Sequence, residues 1–276
     1  MMRSLWTAAS GMRAQQVNVD TIANNVANIN TIGYKSQQAS FKSLLYQNLQ
    51  STSTNNAGEN KPVAAEVGLG SRVAAITSTF TQGNLTHVEN PFSVALEGDG
   101  FFQIRTESGE LQYTRDGSFE ISPVANGNML CTSDGNPVLD ANGNEIILPS
   151  NRVATDLVVN QDGTLAFPDG TGNPAVITDA NGRPVKFGIY QFNNPAGLSK
   201  EGSNNYSVTV ASGAAVAENG NAAVKQTKTH QYYTEASNVD VANEMVNLIV
   251  AQRAYEMNSK AIQASDEMMQ QANALR

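Results

Sequence analysis

Five apolar residues at strict seven-residue spacing, Val241, Leu248, Tyr255, Ile262 and Met269, run unbroken through the C-terminal end of this chain. A row of that period lies along one side of an α-helix, and a helix cannot cover its own apolar stripe. Something else must therefore pack against it. Ala251, Ser265 and Ala272 stand three residues beyond members of the row, where small side chains let a neighbour approach closely. Met245, Met257, Met268 and Met269 add adaptable apolar surface to the same helix, and Arg253 and Lys260 fall seven apart on it. Its start is marked by Ser237-Asn238-Val239-Asp240, in which the spacing predicts that Ser237 caps the first turn and Asp240 returns the bond.

The N-terminal end carries a weaker version of the pattern. Leu5, Met12, Val19 and Val26 lie seven apart, and Ala8, Ile22 and Ile29 follow three residues later, with Gln15 the one polar member of that second row. The periodicity predicts an amphipathic helix from Leu5 to Ile29 with a narrow seam. Asn24, Asn25, Asn28 and Asn30 weaken it toward its end, and Gly33 suits the C-terminal turn.

Between the ends the texture changes to short β-branched and aromatic runs broken by Asp-Gly and Asn-Gly pairs, at Asp99, Asp116, Asn126, Asp134, Asn142, Asp162, Asp169, Asn181 and Asn219 with the glycine that follows each. Such pairs accept the positive φ of tight turns, so their recurrence predicts an antiparallel meander. The stretch from Gln50 to Gly70, rich in Ser, Thr, Asn, Ala and Gly, reads as an extended connector. The expected fold class is α+β: terminal helices from residues 1–35 and 236–276 packed together, a connector over 36–72, and a central all-β domain over 73–235.

Two helices with Ala-, Asn- and Gln-rich surfaces are marginal by themselves, because helices gain most of their stability from packing. The seams therefore ask for neighbouring copies, and the residues expected at such an interface are Leu5, Met12, Val19, Ile22, Val26, Ile29, Val241, Met245, Leu248, Tyr255, Ile262 and Met269. The residues alone support equally well an internal two-helix stalk on a β domain that binds a ligand as a monomer.

Composition removes several other classes. Seventeen basic against 25 acidic residues leave a net charge of −8, with no basic run to follow a phosphate backbone, so nucleic acid is not an expected partner. A single cysteine, Cys131, forms no internal disulfide, and two histidines, His87 and His230, build no His-rich metal site. Asp140-Ala141-Asn142-Gly143-Asn144 opens like a calcium loop, but Glu145 stands where the loop needs Gly and Asn151 where it needs Glu, so a hairpin turn is expected there. No acid, base and nucleophile converge in any motif, and neither an enzyme nor a cofactor is expected. No run of apolar residues is long enough to span a membrane, and polar Arg13, Gln15, Gln16 and Asn18 interrupt the N-terminus before a secretory core could form. Membrane insertion and a cleaved signal peptide are accordingly not expected.

Certain stretches carry a family resemblance. Asn24-Asn25-Val26-Ala27-Asn28-Ile29-Asn30-Thr31-Ile32-Gly33-Tyr34-Lys35 resembles the opening signature of flagellar rod and hook proteins. Ser237-Asn238-Val239-Asp240, with Gln252-Arg253-Ala254-Tyr255-Glu256 and Asn258-Ser259-Lys260, resembles their closing helix. Gly98-Asp99-Gly100-Phe101-Phe102, Tyr113-Thr114-Arg115-Asp116-Gly117-Ser118-Phe119 and Phe192-Asn193-Asn194-Pro195 with Gly197-Leu198 are similar to the β-domain pattern between them. Length and the Asn-Ser-Lys text are most similar to distal rod subunits. Gln231-Tyr232-Tyr233-Thr234-Glu235-Ala236 stands where the family often has a Gly-x-Leu-Glu type run, which leaves a rod paralogue or a hook subunit open.

The resemblance implies a structural, non-enzymatic subunit of the flagellar basal body that polymerises with itself into a helical tube, transmits torque and surrounds an export channel. It implies contacts to other rod proteins, to hook protein and to surrounding basal-body rings, and export through the flagellar type III apparatus to a location across the cell envelope. The segment after Tyr46 resembles an insertion that, in distal rod subunits, packs between protomers and keeps the tube straight.

Overall fold

A computed structural model describes residues 2–50, 65–125, 127–150, 152–169, 173–178, 182–220 and 224–274. Of the expected turns and connector, Asn126, Gly170, Asn181 and residues 51–64 lie outside the described residues. The fold is α+β, with two helices packed on each other and a central domain of antiparallel strands. It divides into two compact units: residues 1–27, 37–78 and 240–276 form the first, and residues 28–36 and 79–239 the second.

The first unit contains both long helices, α1 (Met2–Ala27) and α2 (Val241–Ala274). They run antiparallel. The Ser4 and Ser265 hydroxyls are 3.2 Å apart, and the Asn25 amide donates to Glu244 Oε1 at 3.1 Å. Midway, a Cβ at Gly11 would lie 2.9 Å from the Asn258 side chain, so a larger residue there would have to push that amide aside. Each step along α1 from Ser4 to Gly11 to Asn25 is matched by an equal step back along α2 in multiples of seven, the register of a coiled coil.

Four strands join the helices in this unit: β1 (Gln37–Ser43), β2 (Tyr46–Gln50), β3 (Ala65–Gly68) and β4 (Ser71–Ser78). β1 pairs antiparallel with β4, interrupted by a bulge at Ser40/Phe41, and β2 pairs antiparallel with β3. Much of the stretch expected to be an extended connector is thus a long two-stranded ribbon that groups with the helices. The polar composition that suggests a connector fits a ribbon most of whose side chains remain exposed. Such a ribbon is marginal in water without something packed against it; here α1 lies along β1 and β4.

The second unit is all β. Its largest sheet is antiparallel in the order Ser199–Gly202, Asn205–Ser207, Leu111–Thr114, Phe101–Arg105, Ile189–Gln191, Val216–Ala217. Because successive strand side chains point to opposite faces, adjacent Phe101 and Phe102 serve two different cores. Phe102 packs edge-on to Phe119 at 5.0 Å in a cluster with Leu96, Ile104, Leu130 and Leu165. Phe101 meets Phe192 and Tyr206 at 5.5 and 5.9 Å in the other. Both sheet faces are therefore dry.

One turn recurs four times. At Thr106, Thr132, Asp140 and Asn160 the residue's N–H donates to the carbonyl four residues on, and its own carbonyl accepts the N–H three residues on. The fourth position is Gly109, Gly135, Gly143 or Gly163, at φ of 84°, 84°, 83° and 75°. This is a type I turn followed by a left-handed residue, a three-residue hairpin loop. The hairpin turn expected at Asp140 is one of the four, and in it the Asp140 carboxylate accepts from the Asn142 and Asn144 N–H groups at 2.8 Å each.

Candidate assembly interface

The closing helix approaches α1 most closely through Glu244, Asn258 and Ser265, and only part of the expected row lies beside that line. Leu248, Ile262 and Met269 are half-buried, and Ala251 and Ser265, three residues along from Leu248 and Ile262, are buried. Val241 and Tyr255 remain exposed, Tyr255 lining with Val19 and Gln252 an open groove of about 420 Å³ beside the helix pair.

On α1 the contact line is rotated by one residue from the expected row. Ser4, Gly11 and Asn25 make the close approaches, with Ala8 and Ile22 buried between them. Leu5, Met12, Val19 and Val26 flank that line, half-buried. Small residues occupy the line of closest approach because they let the helix backbones come together. Ile29 lies beyond the helix, half-buried in the second unit.

Met245 is 56% exposed and belongs to a second stripe on α2, with Val246, Ile249, Val250 and Met257, that faces away from α1. The sequence reading did not single out Val246, Ile249 or Val250, although their spacing of three and four residues carries a second helical period. Trp6 is 72% exposed beside a groove of about 430 Å³ between α1 and the ribbon, lined by Ala9, Arg13, Ala14, Leu44 and Val73 among others. On the ribbon itself Phe41, Leu45, Tyr46, Leu49 and Ile76 are exposed.

The family-motif residues divide between the units. Asn25, 1% exposed, holds the first: its side chain accepts from the Gln37 N–H and donates to the Gln37 carbonyl, both at 2.8 Å, while also reaching Glu244. One amide thus ties α1, β1 and α2. Gln252 and Arg253 lie exposed on α2, Arg253 paired with Glu256 at 2.9 Å, and Asn24 is exposed on α1. The cap of α2 is Asp240, whose carboxylate accepts from the Ala242 and Asn243 N–H groups. Ser237 instead accepts from Val239 N–H at 3.3 Å, closing a turn ahead of the helix, so the expected capping role shifts three residues.

In the second unit the motif's tail is folded into the β structure. Asn28 accepts from the Thr31 hydroxyl at 3.1 Å. Gly33 takes a φ of +69° and donates to the Glu235 carbonyl at 2.8 Å; a Cβ there would lie 2.9 Å from the Arg115 backbone, so both dihedral and space demand glycine. Lys35, fully buried, donates to Glu235 Oε1 at 2.6 Å and to the Thr81 carbonyl at 2.8 Å. Arg115 bridges Glu235 Oε2 at 3.2 Å and the Gly98 carbonyl, its guanidinium 5.1 Å above the Phe101 ring. Asn238 accepts from Ser36 N–H at 2.7 Å and donates to the Thr79 carbonyl.

One buried carboxylate therefore joins the segments by which the chain enters and leaves this unit. Burial, and then the neighbouring Arg115, lower the Lys35 pKa from its ordinary value, with Glu235 pulling the other way. Sequence reasoning flagged Lys35 but not its partners. Arg115 and Glu235 sit far apart in β-patterned text, and nothing local announces that they meet.

Three family models match, each on its expected region. The flagella basal body rod protein model covers residues 5–35, the flagellar hook protein FlgE/F/G D1 domain residues 95–167, and the flagellar basal body rod FlgEFG protein C-terminal model residues 230–275. The chain is similar over its whole length to flagellar basal-body rod protein FlgG of Borreliella burgdorferi, at 43% identity over 282 residues covering 100% of this chain and 99% of that one. It is 35% identical to FlgG of Bacillus subtilis over 98% of each chain, and 33% identical to flagellar hook-basal body complex protein FlhP of the same organism over 100% of each. Full-length identity of this order, with the helix signatures in place at both ends, shows that the chain belongs to the flagellar basal-body rod protein family and is a structural protein rather than an enzyme.

Proposed function

We propose that the chain is a structural subunit of the distal rod that polymerises with copies of itself into a helical tube around an export channel, the tube passing torque through its repeated contacts. The observation that carries this is where apolar surface is left bare. Of the large apolar side chains exposed among the described residues, fifteen lie in the helix-and-ribbon unit against eight in the larger β unit. Exposed apolar surface at that density marks an interaction site, and identical copies in head-to-tail contact that does not close build an open helix.

In this reading the predicted interface residues act in two ways. Leu248, Ile262, Ile22 and Met269 hold the helix pair, while Val241, Met245 and Tyr255 meet neighbouring subunits together with the bare side of α2 and the ribbon. The partners are other copies first, then neighbouring rod proteins, hook protein and surrounding rings, with delivery by the flagellar type III export apparatus to a position across the cell envelope. Similarity to FlhP over the full length supports a second reading, a hook-basal-body paralogue with the same fold and mode of assembly.

Electron microscopy of the concentrated protein separates these. Straight tubes support the distal rod, and curved ones support a hook-like subunit. A monomer that forms no tubes at any concentration overturns self-assembly and favours a β-domain binding module.

A further inference from the structure

Within the helix-and-ribbon unit, α1 with the ribbon and α2 carry opposite net charge. Among its described residues, α1 and the ribbon hold Arg3, Arg13, Lys42 and Arg72 against Asp20 and Glu66, a balance of +2. Along α2, Glu244, Glu256, Asp266 and Glu267 stand against Arg253 and Lys260, a balance of −2. Arg13 and Arg72 both line the groove of about 430 Å³ whose other walls are apolar except for Ser10 and Ser71, and neither makes an ion pair among the described residues. The bare stripe of α2, with Val250 62% exposed, is an apolar ridge beside Glu256, which shares an exposed ion pair with Arg253, and, a few turns on, acidic Glu267.

Groove and ridge match in chemistry and differ in sign. Two grooves facing each other would repel, as would two ridges, so the complementary contact is groove to ridge between separate copies. That contact is head-to-tail, the kind that leaves a free groove and a free ridge at each end.

Resting on the self-assembly reading, we propose that the α1–ribbon groove of one subunit receives the outer α2 ridge of a second copy, with Arg13 and Arg72 facing the acids of the incoming helix. The contact is polar at its rim and apolar at its centre, so salt weakens it and charge reversal blocks it.

Two variants test it, each altering only exposed side chains. Arg13→Glu with Arg72→Glu makes the groove acidic; Glu256→Lys with Glu267→Lys makes the ridge basic. Each variant alone is expected to raise the protein concentration needed for tube formation by about tenfold or more, since like charges then face each other. Mixed in equal amounts, the acidic groove of one accepts the basic ridge of the other, and the basic groove of the second accepts the acidic ridge of the first, so tubes return with the variants alternating.

Circular dichroism and thermal unfolding confirm that both variants fold. Tube formation by either variant alone at the unmodified protein's concentration overturns the contact while leaving self-assembly standing, as does a mixture of two folded variants that fails to assemble. No tubes from the unmodified chain overturn the self-assembly reading and this contact with it.

Discussion

The two units of this protein solve the problem of burial in opposite ways. The β unit holds two hydrophobic clusters on the two faces of one sheet, closes four described hairpins with bonded turns and pairs two buried cations with Glu235. Among its described apolar residues the helix-and-ribbon unit buries only Ala8, Ala14, Ile22 and Ala251, and it leaves Trp6, Val246, Ile249 and Val250 in water. A unit built from its own core is finished when it folds. A unit built from one helix pair and one ribbon is finished when something else covers it, which suits a subunit that must fold and associate as separate events.

The sharpest way to break the comparison is at the charge cluster of the β unit. Glu235→Ala leaves Lys35 and Arg115 buried without their carboxylate, and the expected loss is about 3–5 kcal/mol of stability in that unit, read by denaturant unfolding. Rod-like assembly should fail with it. A loss below about 1 kcal/mol would mean that the cluster is solvated and that the β unit is less self-sufficient than described.

Leu248→Asp with Ile262→Asp tests the other unit. Burying two carboxylates in the helix pair should abolish tubes while the β unit keeps its unfolding transition, because its cores contain neither residue. Coincident loss of both would show one cooperative fold instead of two.

Asn25→Ala sharpens the picture inside the helix unit. Losing the bonds to Gln37 and Glu244 is expected to cost about 1–3 kcal/mol, seen as faster hydrogen exchange at the Gln37 amide without change in the β unit.

The smallest effect is in pH. Because Lys35 is harder to protonate in the fold than in the open chain, the unfolded state binds more protons between the lowered pKa and the ordinary one. Stability of the β unit should therefore climb as pH rises through that window and stay level at its lower value below it. Lys35→Met should flatten the slope; an unchanged slope would assign it to another group.

What the sequence made legible follows from which interactions are periodic. The seven-residue row of α2 points to its packed side through Leu248, Ile262 and Met269, although Val241 and Tyr255 stay exposed, and the pairs ending in Gly135, Gly143, Gly163, Gly182 and Gly220 mark turns because the glycine φ is a local demand. The line on α1 was displaced by one residue because Ser4, Gly11 and Asn25 pack through smallness and hydrogen bonding, which an apolar pattern does not register. The ribbon has the texture of a connector in the sequence because a two-stranded sheet with few buried side chains leaves little apolar alternation to detect. Lys35, Arg115 and Glu235 meet across long chain separations, and no spacing rule links them.

Hydrogen exchange on the purified protein, compared between dilute monomer and assembled tubes, tests the central claim most directly. The β unit should be slow to exchange in both, while α1, α2 and the ribbon should gain strong protection only in the tubes. Full protection of the helices and ribbon in a monomer that never assembles would contradict it, because a unit already complete by itself has no need of neighbouring copies.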